Sequence, residues 1–296
     1  MVMKTEIFLK SESGLGLESE LCKGLFFLVA LLIVLLEACS SDVQPVDKPA
    51  EAVKAEKAVP TIPYTLVKTL VHDTNSFTEG LLFHNKQLFE STGATGNLPQ
   101  TRSLFGVVDR KTGKIDTKAE LDRETYFGEG IVFLKNKVYQ LTYKNQIGFI
   151  YDANTFKKLG TFAFQNKEGW GFTTDGTSLI MSDGTNVLTY LDPEKLNVVK
   201  TLAVNNKGYA EDNLNELEYI NGYLYANIWT RNYIVKIDPG DGDVVGILDL
   251  SNLFSMAKAK YPEAMEMNGI AFDQDSDKIY ITGKMWPSIY QIAFVH

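Results

Sequence analysis

Cysteine and histidine are scarce in this chain of 296 residues. The two cysteines are Cys22 and Cys39, so the chain after residue 39 can form no disulfide bond and offers no thiol nucleophile. The three histidines, His72, His84 and His296, are too far apart to match the ligand spacing of a zinc site. Thiol and zinc chemistry are therefore not expected, and core packing alone must stabilise the fold.

Positive charge is also in short supply. The chain has 29 lysines and arginines against 37 aspartates and glutamates, which gives a formal net charge of −8. No stretch forms the basic stripe that binding to a phosphate backbone requires. We therefore expect no nucleic-acid partner, whereas the hydrophobic content of 45% is enough for a large buried core.

The longest apolar run, residues 25–36, has about twelve residues. A membrane-spanning helix needs about 20, so the run fits the hydrophobic region of a signal peptide instead. Glu37, Ala38 and Cys39 follow directly, and the whole segment resembles a bacterial lipoprotein signal with Cys39 as the lipidated residue. An uncleaved membrane anchor is the alternative. We expect a monomeric cell-envelope protein, periplasmic or anchored to the outer membrane by its N-terminal lipid.

The chain divides into three segments. Residues 1–39 are the predicted signal segment, and residues 40–62 are rich in Ala, Lys, Glu and Pro without a large apolar face. This composition is typical of a flexible tether. Residues 63–296 are the predicted folded domain.

A hairpin unit recurs five times in this domain. Each unit is a short strand, a polar turn and a second strand, as in "GLLFHNKQLFEST" and "GIVFLKNKVYQLTY". Four units continue into an apolar stretch that ends in aspartate, at Asp109, Asp152, Asp192 and Asp238, with spacings of 43, 40 and 46 residues. Four strands in each repeat of about 40 to 50 residues predict a β-propeller.

The fifth unit ends after its third strand, "PSIYQIAFV". A fourth strand is available at the start of the domain, where "YTLVKTLV" resembles the "LNVVKTLAV" that closes the third complete unit. We therefore predict an all-β fold, a five-bladed β-propeller closed by pairing of residues 63–71 with residues 288–294. Such closure removes exposed sheet edges.

The innermost strands of a propeller converge on its central channel, so the residues at the starts of these strands share one mouth. These starts are "FTEG" at 77–80, "FGEG" at 127–130, "EGWG" at 168–171, "NELE" at 215–218 and "MNG" at 267–269. Glu129 lies between two glycines, which allow a ligand or another backbone to come close to it. By itself Glu129 could be either a chemical group or a turn residue.

The motifs "SFTEGL", "YFGEGI", "EGWGF", "LNELEY", "NIW" and "MNGIAF", in this order and at blade spacing, resemble the plant and bacterial glutamine cyclotransferase family. The resemblance covers about residues 63–294. It implies conversion of an N-terminal glutamine, on a peptide or protein, to pyroglutamate with release of ammonia.

The resemblance also assigns roles to residues at the mouth. It implies that Glu129 holds the substrate ammonium and carries a proton to the leaving nitrogen, in a shielded site that raises its pKa. Lys284 would stabilise the oxyanion, and Asn215 would donate to the substrate amide. The alternatives are a solvated lysine and an asparagine that caps its turn. The implied substrate-binding residues are Phe77, Glu79, Phe127, Tyr143, Trp170 and Trp229.

Four of these positions carry open questions. Glu79 and Tyr143 stand where plant relatives have glutamine and tryptophan, and sequence leaves open which of Glu79 and Glu129 is the proton shuttle. The tryptophans Trp170 and Trp229 are either walls of the site or core residues between blades. No metal ligand or required cofactor is expected, and a structural calcium in the channel stays open.

Two other functions remain alternatives at this point. One is a non-catalytic propeller that binds a partner through the same mouth. The other is a different propeller enzyme, such as a calcium-dependent lactonase, which would need metal ligands converging on the channel. The combined glutamate, tryptophan, asparagine and lysine set favours the cyclotransferase.

Overall fold

The computed structural model describes residues 58–296. The predicted signal segment with Cys39 and most of the predicted tether lie outside the described residues. Four sheets of the described part are each built from four consecutive antiparallel strands. Their strands are β2 (Thr78–His84), β3 (Gln87–Thr92), β4 (Leu104–Val108) and β5 (Ile115–Glu120) in blade 1; β6 (Gly128–Leu134), β7 (Lys137–Thr142), β8 (Ile147–Asp152) and β9 (Lys158–Ala163) in blade 2; β10 (Phe172–Thr174), β11 (Leu179–Met181), β12 (Val187–Leu191) and β13 (Val198–Ala203) in blade 3; and β16 (Leu214–Ile220), β17 (Tyr223–Ile228), β18 (Tyr233–Ile237) and β19 (Val244–Asp249) in blade 4.

Blade 5 takes its strands from both ends of the domain. Its order is β1 (Thr65–Val71), β22 (Ser288–Ala293), β21 (Lys278–Gly283) and β20 (Met267–Asp273). β1 pairs antiparallel with β22, from Thr65 opposite Ala293 to Val71 opposite Ser288. The predicted five-bladed propeller and its closing strand pair are both confirmed.

Local sequence explains the hairpins. The turns between the first two strands of blades 1, 2 and 4 hold two residues with positive φ, as at Asn85 and Lys86. This geometry matches the twist of an antiparallel pair. Between the last two strands, the recurring aspartate accepts main-chain N–H groups, as Asp152 Oδ1 does from Asn154 at 3.1 Å and Thr155 at 2.8 Å. The repeated aspartate is therefore a turn residue.

Apolar clusters fill the space between neighbouring blades. Phe89 and Phe105 of blade 1 pack with Ile131 and Phe149 of blade 2, and equivalent clusters lie between the other blades. The inner strands β2, β6, β10, β16 and β20 contact one another in a ring around the axis. This ring holds the starts of the inner strands at one end of the channel.

Three elements depart from the sequence prediction. A helix, α1 (Ser251–Lys260), and a small hairpin, β14 (Asn205–Asn206) and β15 (Tyr209–Ala210), lie in connections between blades. Within residues 58–296, no helix is long and apolar enough to cross a bilayer.

The segment before β1 also pairs with a strand of blade 4. Ile62 N–H donates to Ile247 O at 2.7 Å, and Ile247 N–H donates to Pro60 O at 2.9 Å. Residues 60–62 therefore run alongside β19.

A buried ion pair fastens the closing strand. His72 follows β1, and its Nε2 lies 3.0 Å from both carboxylate oxygens of Glu90 in blade 1. Its Nδ1 donates to Trp286 O of blade 5 at 2.7 Å, and Thr78 Oγ1 donates to Glu90 at 2.7 Å. Burial alone would lower the pKa of His72, but the charge and hydrogen bond of Glu90 raise it by more. Since both ring nitrogens face acceptors, His72 is an imidazolium.

The glycines beside Glu129 are required by neighbouring backbone. A Cβ on Gly130 would lie 2.6 Å from Phe172 N and 2.7 Å from Trp170 O of blade 3. A Cβ on Gly128 would lie 2.7 Å from Thr92 O of blade 1. The "GEG" motif therefore lets β6 pass between two other blades at van der Waals distance.

We expect Gly130→Ala to destabilise the domain by about 1–3 kcal/mol, because backbone on blade 3 must move to admit the methyl group. Thermal unfolding measures the loss. Gly160→Ala is the matched control, since a Cβ there meets nothing within 4 Å. Equal melting temperatures for the two variants would contradict the close approach.

Candidate active site

One cavity at the mouth gathers all the site residues predicted within the described part of the chain. It has a volume of about 580 Å³. The nine predicted residues that line it are Phe77, Glu79, Phe127, Glu129, Tyr143, Trp170, Asn215, Trp229 and Lys284. Their lining of one cavity confirms that these residues meet, while their chemical roles stay predictions.

The four polar residues that the sequence assigns to the reaction come from four different blades. Glu79 lies on β2, Glu129 on β6 and Asn215 on β16, each within the first residues of its strand. Lys284 directly follows β21 of blade 5, and its main-chain N–H donates to Glu266 O at 2.9 Å. The ring of inner strands thus fixes the carboxyl groups, and a loop fixes the lysine.

Both oxygens of Glu79 are engaged by neighbouring side chains. Glu79 Oε1 lies 2.8 Å from Lys284 Nζ, and Asn268 Nδ2 donates to Oε2 at 2.9 Å. Lys284 Nζ also lies 4.6 Å from the centre of the Phe77 ring. The Glu79 carboxyl therefore supports Lys284, and it is less free to meet a substrate ammonium than the sequence alone indicated.

Glu129 differs from Glu79 in having no fixed partner. Its side chain is buried, with 4% exposure, yet forms no hydrogen bond to any group in residues 58–296. A buried polar group without a partner is uncommon and costs free energy. The structure therefore leaves the Glu129 carboxyl open to a ligand in the cavity.

The cavity shifts the pKa values of its three charged groups. Burial raises the pKa of Glu79 to about 7, although the Lys284 charge opposes the rise. Burial first, and then the charge of Glu79, raise the pKa of Glu129 well above its usual range. For Lys284, burial lowers the pKa, but the charges of Glu79 and Glu129 raise it by more. Lys284 therefore remains a cation, and the Glu129 carboxyl holds a proton more readily than an ordinary glutamate does.

Aromatic side chains form the walls. Phe77 packs edge-on against Phe127 at 5.9 Å between ring centres, and Phe127 lies 5.8 Å from Tyr143. Trp170 packs edge-on against Trp229 at 5.7 Å. These tryptophans line the cavity and are not buried between blades, which distinguishes them from the fully buried core residue Trp286.

Asn215 presents an amide without a partner. Its Oδ1 is buried and accepts no hydrogen bond from residues 58–296. Its main-chain oxygen, by contrast, accepts from Ser182 Oγ at 2.7 Å, which fixes the backbone beneath the side chain. An amide held in this way suits recognition of another amide or an amine.

Sequence reasoning assigned no role to several polar groups of the cavity. Glu168 stands in one of the quoted strand starts and accepts from Trp170 Nε1 at 3.0 Å, which orients the indole. The others lie in connections between strands, where no repeat pattern indicates which way a side chain points. Asp183 and Thr185 follow β11, Asn213 precedes β16, and Glu266 precedes β20.

Metal ligands do not converge in the described part of the chain. Residues 58–296 contain no group of three or more His, Cys, Asp or Glu side chains placed to hold an ion. The sequence motif "DPGDGD" forms a turn, in which Asp238 Oδ1 accepts from Gly240 N–H at 2.8 Å.

A five-bladed propeller whose mouth holds two glutamates, a lysine and an asparagine between aromatic walls has the features of a propeller enzyme that acts on an amide. The glutamine cyclotransferase family model matches residues 33–294. The chain is 39% identical over 229 residues to the glutaminyl-peptide cyclotransferase of Arabidopsis thaliana, covering 77% of this chain and 70% of the relative. The crystal structure of Myxococcus xanthus glutaminyl cyclase matches with a TM-score of 0.72 and 31% identity, over 81% of this chain and all of that one. The chain therefore belongs to the glutamine cyclotransferase family, which confirms the resemblance.

Proposed function

We propose that the protein is a glutaminyl-peptide cyclotransferase in which Glu129 carries the proton and Lys284 and Asn215 hold the reacting amide. The observation that supports these roles is the unpaired carboxyl of Glu129, with its raised pKa, in the same aromatic cavity as the Lys284 cation. Family membership supports the reaction itself.

The reaction moves protons from one nitrogen to another. The α-ammonium of the N-terminal glutamine loses a proton, and the amine nitrogen attacks the side-chain amide carbon. The amide oxygen gains negative charge in the tetrahedral intermediate. The bond to the amide nitrogen then breaks, and the attacking nitrogen gives up a second proton to become the lactam N–H. The leaving nitrogen takes up one of the two protons to depart as ammonia, and the other proton converts this ammonia to ammonium, so protons balance without any co-reactant.

Glu129 suits this proton transfer because of its raised pKa. A general acid–base group works best when its pKa lies near the operating pH. An α-amine has a pKa of about 7.7–8.0, so a raised pKa lowers the free-energy cost of moving the proton from the ammonium to Glu129 below that for an ordinary glutamate. Glu129 accepts the proton from the α-ammonium and returns it to the leaving nitrogen.

Lys284 and Asn215 serve the amide. Lys284 has three N–H donors, and Glu79 occupies one of them. The others are free to stabilise the oxyanion, at the place where a fixed cation has most effect. Asn215 binds the amide group, while Trp170 and Trp229 exclude water from it. A purely partner-binding role would not account for the unpaired carboxyl of Glu129 in the cavity.

The test is ammonia release from a Gln-initiated peptide incubated with the purified protein. We expect one ammonia for each pyroglutamyl product, and none from the matching Glu-initiated peptide. Binding of the Gln-initiated peptide without ammonia release would instead support the non-catalytic propeller.

Glu79→Gln is expected to keep measurable activity and to change the pH profile of kcat/KM. The Glu79 charge raises the pKa of Glu129 and the Lys284 charge lowers it, so the variant removes the first effect and keeps the second. The limb of the profile that reports Glu129 should move to lower pH. The limb set by the substrate amine, near pH 8, should stay.

Initial rates measured across the pH range check this shift. Glu194→Gln is a matched control. Glu194 is exposed and pairs with Lys135 at 3.0 Å on the face of the propeller opposite the mouth. An unmoved profile would show that Glu79 does not act on Glu129. A loss of activity as complete as that of Glu129→Gln would make Glu79 the proton shuttle.

We also propose that Cys39 is lipidated and holds the domain at the cell envelope. The apolar run before Cys39 and the tether-like composition after it support this proposal. The mass of the mature N-terminal peptide tests it, since an unmodified Cys39 within an intact leader would contradict lipidation.

A further inference from the structure

A second cavity, of about 700 Å³, opens beside the catalytic cavity. The two cavities share Met265 and Glu266 in their linings. Trp229 and Lys284 line the first cavity, and the residues that follow them, Thr230 and Met285, line the second. We call this second cavity the downstream groove. Its walls are the loop at 97–100, the turn at Thr230, helix α1 and the turn at 261–266.

An arginine holds one wall of the downstream groove in place. The Arg123 guanidinium donates to three main-chain oxygens of the loop, those of Thr95 at 3.1 Å, Pro99 at 2.8 Å and Thr101 at 3.1 Å. One side chain therefore fixes the whole loop between β3 and β4. A fixed wall needs no ordering when a ligand binds, which favours affinity.

A lysine holds the opposite wall. Lys258 Nζ donates to Pro262 O at 2.6 Å and Ala264 O at 2.9 Å, across the turn that follows α1. Its donors are thus directed to carbonyl groups of the protein, although its positive charge stays in the lining. The other charged groups of the lining are two carboxylates, Glu263, which is exposed, and Glu266, which is half-buried, so negative charge exceeds positive charge there.

The bound substrate must extend beyond the catalytic cavity, because only its N-terminal residue takes part in the proposed reaction. The α-amine and the side-chain amide of the N-terminal glutamine must both lie inside, near Glu129, so the peptide chain beyond this residue runs out through the mouth. The downstream groove adjoins that mouth at Met265 and Glu266. The charge of Glu266 also reaches the catalytic cavity, where it raises the pKa values of both Glu79 and Lys284.

We propose that the downstream groove binds the second and third residues of the substrate peptide and favours lysine or arginine there over glutamate or aspartate. This inference rests on the proposed function and adds a substrate preference to it. Opposite charges attract across a partly exposed groove, and like charges repel. Each such pair changes affinity about two- to fivefold.

The experiment compares three substrates: glutamine amide, Gln-Lys-Ala amide and Gln-Glu-Ala amide. At low ionic strength we expect kcat/KM for the lysine peptide to exceed that for the glutamate peptide about three- to tenfold, because attraction and repulsion both contribute. Added salt should narrow this ratio, since exposed charges are screened. Glutamine amide ends before the groove and measures the chemistry of the catalytic cavity.

Glu263→Gln is expected to lower the lysine-to-glutamate ratio by about twofold or more. Glu194→Gln removes the same charge on the opposite face and should leave the ratio unchanged. A ratio near one, or a ratio that Glu263→Gln does not alter, would overturn the assignment of the groove. Absence of ammonia from glutamine amide as well as from both peptides would contradict the proposed function. It would also overturn the substrate preference proposed for the groove, which rests on that function.

Discussion

Glu129→Gln is expected to lower kcat/KM for a Gln-initiated peptide by at least about a hundredfold. General acid–base groups contribute about 10²- to 10⁴-fold, and the Glu129 carboxyl also binds the ammonium in the proposed scheme. Glutamine keeps the size and hydrogen-bonding reach of the side chain but exchanges no proton at neutral pH. The measurement is ammonia release under kcat/KM conditions.

The stability of this variant separates chemistry from folding. Glu129 is buried without a hydrogen-bond partner in residues 58–296, so a neutral amide should leave the melting temperature unchanged or slightly higher. Glu194→Gln should retain wild-type rate and melt. A Glu129→Gln enzyme with near-wild-type turnover and an unchanged melt would show that Glu129 has no part in the reaction.

The second large effect concerns the ion pair behind the closing strand. We expect His72→Ala to destabilise the domain by about 3–5 kcal/mol, because it leaves the buried Glu90 carboxylate without its cation. For a domain of this size each kcal/mol shifts the melting temperature by about 2–4 °C. Thermal or denaturant unfolding measures the loss. The double variant His72→Leu and Glu90→Leu should lose much less than the two single changes together, since no charge then stays buried.

The pH dependence gives an independent check on His72. Its pKa is raised in the folded state, so its stabilising contribution is complete below the unfolded pKa of about 6.5. The contribution is lost as the pH rises from there through the folded pKa. The carboxyls of Glu79, Glu129 and Glu216, which are buried, and of Glu218, which is partly buried, also have raised pKa values and act in the same direction. The difference between wild type and His72→Ala, measured at pH 6 and above pH 8, therefore isolates His72. An equal difference at all pH values would contradict an imidazolium at this position.

The sequence predicted the blades because each carries its own signals. Two-residue turns such as Asn221-Gly222 and the recurring aspartates at strand ends depend on neighbours within a few residues. The closing strand was predictable for another reason, since an incomplete fifth repeat implied a missing partner. Helix α1 was missed because it lies in a connection that no other repeat shares, and its buried Leu253 and Ala257 give only a short apolar pattern.

The candidate site was predictable as a set of residues but not as an arrangement. Glu79 lies in a quoted motif and Lys284 was assigned by resemblance, yet nothing in the sequence pairs them, because the contact joins blade 1 to blade 5. The same limit applies to Glu129, whose importance in the structure comes from the absence of a partner in the described residues. Glu266 was missed because it precedes the "MNG" motif and depends on the loop that carries Lys284.

The Glu79–Lys284 contact joins blade 1 to blade 5, the blade whose sheet is completed by the pairing of β1 with β22. The catalytic centre is therefore among the last features to form during folding, since a contact of such long sequence separation costs the most chain entropy to make. Blades 1 to 4 can each assemble from neighbouring segments, but the lysine meets its carboxylate only once the ring is complete. In a refolding experiment, we therefore expect the return of ammonia release to report completion of the five-bladed ring. Sheet formation alone does not report this step.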